Sequence, residues 1–298
     1  MRRARQLRQR LSEPDMVVAP GAYDGIGARF IEQAGFPAIY MTGAGTSAAL
    51  GFPDFGLLTL TEMADNAGSL ARAATIPVIA DADTGYGNEL NVTRTVREYE
   101  IRDVAALHIE DQVAPKRCGH LDGKEVVSRE EFAAKVRAAV AARQDPDFLV
   151  IARTDARAVL GFEEAIARAN LALGAGADMA FVEAVQTLDE MQAVPRRVAG
   201  PCLLNIVRGG RTPDVDLAGA QAMGYRLAIL PSLLIGAALE AFDEALAALR
   251  ETRAPPASAG GPMIRERFNR MGANEWDALR TRFQAQPQDL PTLPDAAE

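Results

Sequence analysis

The chain has 298 residues, 48% of them hydrophobic, and a formal net charge of −8. That length can bury a full core and lies near the size of a single α/β barrel, and the acidic balance argues against a partner recognised through a phosphate backbone. Its two cysteines, Cys118 and Cys202, form no Cys-x-x-Cys pair, which argues against a disulfide framework or a structural zinc module and makes a reducing cytoplasm the expected setting.

The basic opening, MRRARQLRQR, lacks the apolar stretch and small-residue cleavage site of a secretory signal and reads as a first surface helix. No apolar run approaches the roughly 20 residues needed to span a bilayer. Eight short apolar runs follow, at residues 17–20, 38–42, 78–81, 106–110, 149–153, 179–183, 203–207 and 227–230. The segments between them carry helix signals. Thr59-Leu-Thr-Glu62 and Ser128-Arg-Glu-Glu131 are capping boxes, and Phe132, Val136 and Val140 fall on one face of the helix that the second opens. The segment 161–174 ends on Gly174, the residue expected after a helix. Strands alternating with helices imply a parallel sheet, and eight repeats favour closure into an α/β, (β/α)8 barrel over residues 1–251.

The pattern breaks at residues 252–262, a Pro- and Gly-rich linker. Residues 263–284 read as a helical arm carrying the sole tryptophan, Trp276, and an arm after a complete barrel is expected to pack on a neighbouring subunit. Residues 285–298, rich in proline and acid, are expected to be disordered.

In such a barrel the C-terminal ends of the strands carry the active site. Asp81 and Asp83 close the third strand at alternate positions and should project to one side. With Glu110 and Asp111 of the fourth, they make four acids that could share one divalent cation. Arg153, Thr154 and Asp155 close the fifth strand, Glu183 the sixth and Asn205 the seventh. Any one of these is explained by an ion pair at a barrel mouth; their joint placement points to a site.

The oxygen-rich set suits Mg²⁺, with Mn²⁺ as the alternative. With two histidines and no His-Glu-x-x-His, a zinc hydrolase lacks ligands, and no Gly-x-Ser-x-Gly elbow supports a triad around His108 or His120. Neither Gly21-Ala-Tyr-Asp-Gly25 nor Thr42-Gly-Ala-Gly-Thr46 gives Gly-x-Gly-x-x-Gly, although the second could bind a carboxylate through backbone N–H groups. Cys118 lies between Lys116, Arg117 and His120, and cationic neighbours are expected to lower its thiol pKa. The bland reading is an incidental cysteine in a solvated charge cluster. Residues 115–124 have the build of a lid that closes over the strand ends.

These residues resemble the isocitrate lyase and phosphoenolpyruvate mutase superfamily, over roughly residues 5–285. Lys116-Arg-Cys-Gly-His120 is specific to its carbon–carbon lyase branch, which holds the 2-methylisocitrate lyases and the 2,3-dimethylmalate lyase and oxaloacetate acetylhydrolase group. The resemblance implies a homotetramer of barrels exchanging their last helices. It implies Mg²⁺ near Asp81 and Asp83, supported by Glu110 and Asp54. It also implies that Thr42, Gly43 and Ala44 hold a substrate carboxylate with Arg153, that Gly119, Glu183 and Asn205 line the pocket, and that Cys118 is the general acid. Lys116, His120, Arg153 and Glu110 complete the catalytic set.

Two departures bear on substrate. Methylisocitrate lyases carry Thr-Glu-Phe-Gly soon after the asparagine, where this chain has Asn205-Ile-Val-Arg208-Gly-Gly, and they tend to have an arginine where Gly236 stands. The loss of a cation disfavours a tricarboxylate, and Arg208 could supply a different contact. The expectation is a Mg²⁺-dependent lyase splitting an alkyl-substituted malate into an α-keto acid, pyruvate or glyoxylate, and a carboxylate. The alternatives are 2-methylisocitrate cleavage to pyruvate and succinate, oxaloacetate hydrolysis, for which Ser232 after Pro231 is a reason, and a noncatalytic barrel that binds a partner.

Overall fold

The apolar runs form parallel strands β1 (Val17–Ala22), β2 (Ile39–Met41), β3 (Val78–Asp81), β4 (Ala106–Glu110), β5 (Leu149–Thr154), β6 (Met179–Val182), β7 (Cys202–Asn205) and β8 (Leu227–Leu230) in the computed structural model, which describes residues 2–254, 256 and 263–284. Each strand pairs with the next, and β8 returns to β1 in the register Val17↔Leu227 to Pro20↔Leu230. The expected eight-stranded barrel is therefore closed. Its helices are α1 (Arg3–Ser12), α2 (Gly25–Gln33), α3 (Gly43–Ala49), α4 (Leu60–Ala73), α5 (Glu89–Glu100), α6 (Arg129–Ala142), α7 (Ala156–Val159), α8 (Phe162–Gly174), α9 (Leu188–Arg197), α10 (Leu217–Met223) and α11 (Leu233–Thr252), followed by α12 (Ile264–Arg270) and α13 (Ala273–Gln284).

The period of two along each strand sorts the core into two layers. Inside the barrel, Ile79, Ala106, Leu149, Ile151, Met179, Phe181, Leu203, Leu227 and Ile229 pack together over Ala4 and Leu7 of α1, which plugs the N-terminal end. Outside it, Ala80, Leu107, Ile109, Val150 and Ala152 meet Val92, Val96, Phe132 and Val136 of the helices. Each fully buried Leu, Ile or Phe contributes roughly 1.5–3 kcal/mol. Continuing the inward series toward the C-terminal ends, the side chains turn polar and stay buried: Asp81, His108, Glu110, Arg153, Glu183 and Asn205. The apolar layer beneath offsets the cost of desolvating that ring.

The Thr59–Glu62 capping box forms in full. At Ser128 only half of the expected box forms: its hydroxyl accepts from the Glu131 N–H at 3.1 Å, while the Glu131 carboxylate lies 3.7 Å from Lys135 Nζ. Gly174 is the last helical residue of α8, not the residue after it; the left-handed turn comes at Gly176, φ +104°.

The chain divides into two compact units, Met1–Glu244 and Ala245–Glu298. In the second, the segment expected to be one helix is two, broken at Gly272 with φ +89°. Phe268, Trp276 and Phe283 are exposed there. Of the expected linker 252–262, most lies outside the described residues, as does the whole tail 285–298. No helix among the described residues is long and apolar enough to cross a membrane.

Candidate active site

Asp81 ends β3, and the chain then turns through left-handed residues Asp83 (φ +46°), Gly85 (+81°), Tyr86 (+62°) and Gly87 (+146°). The Asp83 N–H donates to Asp81 Oδ1 at 3.0 Å. The two carboxylates thus meet through a tight turn, not through the strand alternation expected of them. A non-glycine residue at positive φ costs of order 1 kcal/mol, which the buried surroundings must hold in place. Tyr40 Oη lies 2.8 Å from His108 Nε2 and 3.4 Å from Asp81 Oδ2, beneath the pair.

Glu110 faces the barrel axis and Asp111, one residue on, faces away. Asp111 accepts from Thr154 Oγ1 at 2.6 Å, from the Asp155 N–H at 2.8 Å and from Arg168 Nη1 at 3.1 Å. The expected four-acid cation site is therefore corrected: Asp111 braces the ends of β4 and β5. Among the described residues, no three His, Cys, Asp or Glu side chains converge closely enough to hold a cation unaided.

Arg153, at the end of β5, donates twice to Asp155, from Nε at 2.9 Å and from Nη2 at 3.2 Å. Its Nε is also 3.1 Å from Glu110 Oε2 and its Nη2 3.5 Å from Glu183 Oε2. Because the Nε–H is directed at Asp155, both Glu110 oxygens are buried without a hydrogen-bond donor. Burial works against the Arg153 charge, but Asp155, Glu110 and Glu183 hold its pKa well above the usual value. Asn205 Nδ2 donates to Glu183 Oε2 at 3.1 Å.

Burial pushes Asp81, Asp83 and Glu110 all upward, and unequal neighbouring charges spread them apart in pKa. It raises Glu110 well above the carboxylate range, and it lifts Asp83 to about 6 despite Lys116, with Asp81 and Asp54 adding to the rise. Burial pushes Asp81 up too, but His108, Lys116 and Arg153 outweigh it and take Asp81 down to about 2. His108 is itself pushed down to about 4 by burial, so near neutral pH the charges holding Asp81 ionised are Lys116 and Arg153. Both Glu110 oxygens, buried and lacking donors, together with the Asp83 carboxylate, which Lys116 Nζ faces at 3.0 Å, fit a hard cation that keeps part of its water shell, as Mg²⁺ and Mn²⁺ do.

On the opposite wall Thr42 caps α3, accepting from the Gly45 N–H at 3.2 Å, and leaves the Gly43 and Ala44 N–H groups without intrahelical acceptors. A Cβ on Gly43 would stand 2.5 Å from Asp81 Oδ2, so only glycine lets this turn abut the acids.

The segment between β4 and α6 is closed over this ring. Its base is a Gln112↔Val126 bridge. Lys116 Nζ pairs with Asp54 and lies 3.0 Å from Asp83 Oδ1. Gly119 fits where a Cβ would be 2.4 Å from Arg153 Nη2 and 2.6 Å from Glu183 Cγ. His120 Nε2 is 3.3 Å from Glu183 Oε1, and Lys124 Nζ bonds Gly119 O and lies 3.5 Å from Asp155 Oδ1. Cys118 is half-buried in this lid. Burial pushes its thiol up, contrary to the lowering expected from cationic neighbours. Lys116 is committed to Asp54 and Asp83, and Arg117 is exposed with its guanidinium 5.6 Å from the Phe55 ring centroid. The thiol therefore keeps its proton at neutral pH, as a proton donor must.

The structure thus brings Asp54, Asp81, Asp83, Glu110, Lys116, Gly119, His120, Arg153, Glu183 and Asn205 into one linked cluster, with Thr42, Gly43, Ala44 and Cys118 at its walls. It does not bring Arg208 there. Arg208 is exposed and lines a separate cleft of about 1000 Å³ with Asp214, Ser232 and Gly236. The expected set gives Asp155 a place at the end of the fifth strand but no role, and it lacks Lys124, which carries no signal beyond its membership of the lid.

The family profile described as phosphoenolpyruvate phosphomutase matches residues 7–250. The chain is 49% identical over 251 residues to 2,3-dimethylmalate lyase of Eubacterium barkeri, covering 84% of this chain and 87% of that protein. It is 45% identical over 245 residues to 2-methylisocitrate lyase of Aeropyrum pernix, covering 82% and 79%. Among solved structures it is similar to oxaloacetate acetylhydrolase in complex with 3,3-difluorooxalacetate, with a TM-score of 0.90, 40% identity and coverage of 97% and 99%. A phosphonopyruvate hydrolase complex with oxalate and Mg²⁺ gives 0.87, 32%, 95% and 100%.

Proposed function

Because this chain belongs to the phosphoenolpyruvate mutase and isocitrate lyase superfamily, in its carbon–carbon lyase branch, we propose that it is a Mg²⁺-dependent lyase acting on a substituted malate of the 2,3-dimethylmalate type. The products are an α-keto acid, pyruvate or glyoxylate, and a carboxylate. The observation that carries this reading is the placement of Cys118, half-buried in a closed lid so that burial pushes its thiol pKa up, over a buried ring of acids around one arginine. The relatives are enzymes, and a noncatalytic barrel gains no support from them.

Asp81, Asp83 and Glu110 would hold Mg²⁺, whose charge stabilises an oxyanion when bound, and the Mg²⁺ of the phosphonopyruvate hydrolase complex supports that choice. Arg153, with the Gly43 and Ala44 N–H groups opposite, orients the carboxylate next to the reacting carbon. Loss of the C2 hydroxyl proton to an ionised carboxylate of the ring turns that oxygen into the keto group as the C2–C3 bond breaks, and the bond's electron pair leaves with the other fragment as an enolate. Cys118 then delivers its proton to the enolate carbon, while Lys116, His120 and Lys124 keep the lid shut against water. The exposed position of Arg208 favours a dicarboxylate, since the cations inside the lid, Lys116, Lys124 and Arg153, each already face an acid. Residues 263–284 are proposed to pack on a neighbouring subunit of a homotetramer, a reading supported by exposed Phe268, Trp276 and Phe283.

The second reading, oxaloacetate hydrolysis, rests on the similarity to the acetylhydrolase, whose TM-score of 0.90 is matched by the 0.91 of a 2,3-dimethylmalate lyase structure; Ser232, the residue that raised it, lines the Arg208 cleft. The deciding experiment offers malate, 2-methylmalate, 2,3-dimethylmalate, isocitrate, 2-methylisocitrate and oxaloacetate with Mg²⁺ or EDTA. Metal-dependent keto acid from a methylated malate is expected. Oxalate from oxaloacetate alone would transfer the assignment to the hydrolase, and preferred cleavage of 2-methylisocitrate to the methylisocitrate lyases.

A further inference from the structure

The turn after β7 departs from the Thr-Glu-Phe-Gly pattern, and Arg208 within it is exposed, outside the ring of acids. Its neighbour Arg211 reaches the lid instead. The Arg211 N–H donates to His120 Nδ1 at 3.1 Å, its Nε to the His120 carbonyl at 3.0 Å and its Nη2 to Asp122 Oδ1 at 2.5 Å. The imidazole lies so close over Gly210 that a Cβ there would come within 2.8 Å of Nδ1. Gly209, at φ +76°, and a Gly210 N–H to Val207 O bond at 3.0 Å set the turn that makes this approach possible.

A histidine that accepts at Nδ1 is neutral and carries its proton on Nε2. Here Nε2 is 3.3 Å from Glu183 Oε1, and Glu183 in turn faces Arg153 and Asn205. Two loops 91 residues apart in sequence thus close on one ring. The Asp122 end of this contact is at the surface, with Asp122 92% exposed, and contributes little; the bonds to His120 are shielded and specific.

We propose that the turn at residues 207–212 is the second half of the lid, and that Arg211 is a positioning residue which fixes the His120 tautomer and holds the Cys118 segment shut. That the closed state serves lyase chemistry rests on the function proposed above; the clamp itself does not. Closure by this lid requires both loops to arrive together, so loosening either one exposes Cys118.

The test is alkylation of the full chain by iodoacetamide without substrate, read by mass spectrometry at each cysteine. Cys202, buried in β7, is the internal control for folding. Arg211→Ala removes the side-chain bonds to His120 O and Asp122, and Gly210→Ala pushes the imidazole aside. Each is expected to speed Cys118 labelling by roughly fivefold or more, the worth of one net hydrogen bond, with Cys202 still protected. Unchanged Cys118 labelling in both overturns the proposal. If one variant exposes Cys202 it has unfolded, and the other decides. A chain inactive on the whole substrate panel would overturn the lyase reading and leave this result standing.

Discussion

Arg168 of α8 and Asp111 at the end of β4 meet at 3.1 Å with both side chains buried, and the same guanidinium donates to Val127 O at 2.8 Å at the foot of the lid. Asp111 in turn holds Thr154 and the Asp155 N–H, and Asp155 holds Arg153. A helix on the outside of the barrel therefore bears on the arginine inside it. Arg168→Met should cost about 3–5 kcal/mol, since it leaves a buried carboxylate without its cation. Urea unfolding measures this, and a loss below about 1 kcal/mol would mean that Asp111 is held by Thr154 and the backbone alone.

Cys118→Ser should lower turnover by roughly 10²–10⁴-fold, the usual worth of a placed general acid. Its half-buried thiol lies outside the core clusters, so the unfolding midpoint should stay in place. Undiminished keto-acid release would remove Cys118 from the mechanism.

Asp83→Ala takes away a buried carboxylate beside Asp81, faced by Lys116 Nζ at 3.0 Å. Mn²⁺ binding followed by electron paramagnetic resonance should weaken by about 10–100-fold. Equal affinity in parent and variant would clear Asp83 of any part in holding the ion.

The barrel was legible because its signals are periodic: eight apolar runs, spaced helices, polar residues at the strand ends. Inside the site, legibility fails wherever a contact depends on geometry that periodicity does not carry. Glu110 and Asp111 are neighbours of one chemistry, and only the strand register decides that one faces the axis and the other Arg168. Asp83 joins Asp81 through a left-handed turn that reads in sequence as strand alternation. The Cys118 thiol sits among cations in sequence, yet folding commits Lys116 elsewhere and leaves burial to set its pKa. Arg211 and His120 belong to separate loops, and no local pattern pairs them.

Glu164 supplies a pH test away from the site. Its hydrogen bond from Arg129, and a further one from Arg168, outweigh burial and lower it from the ordinary 4.5 to about 2. A depressed carboxyl contributes stability that is full above about pH 4.5 and lost as pH falls toward about 2. The melting-temperature gap between the parent and Glu164→Gln should be flat from pH 8 to pH 5 and shrink below pH 4.5. A gap of constant size down to pH 2.5 would contradict the assigned shift.

Gly236 lies early in α11, where an added Cβ finds no atom within 4 Å. Gly236→Arg would restore the cation that methylisocitrate lyases tend to have there, and should raise kcat/KM for 2-methylisocitrate relative to 2,3-dimethylmalate by roughly tenfold. Loss of helical glycine should also stabilise the chain by about 0.5–1 kcal/mol. Higher stability with an unmoved substrate ratio would place the third-carboxylate determinant elsewhere.

Gly43 and Gly119 give the chamber its size: bare hydrogens stand where a methyl group would strike Asp81 on one wall and Arg153 on the other. Its walls at these points are main chain, and main chain cannot be trimmed by a point substitution. A redesign for bulkier acids therefore has no room to gain from either glycine. The open space lies outside this chamber, in the cleft between β7 and β8 that Arg208, Ser232 and Gly236 border, and directed evolution of substrate range should begin there.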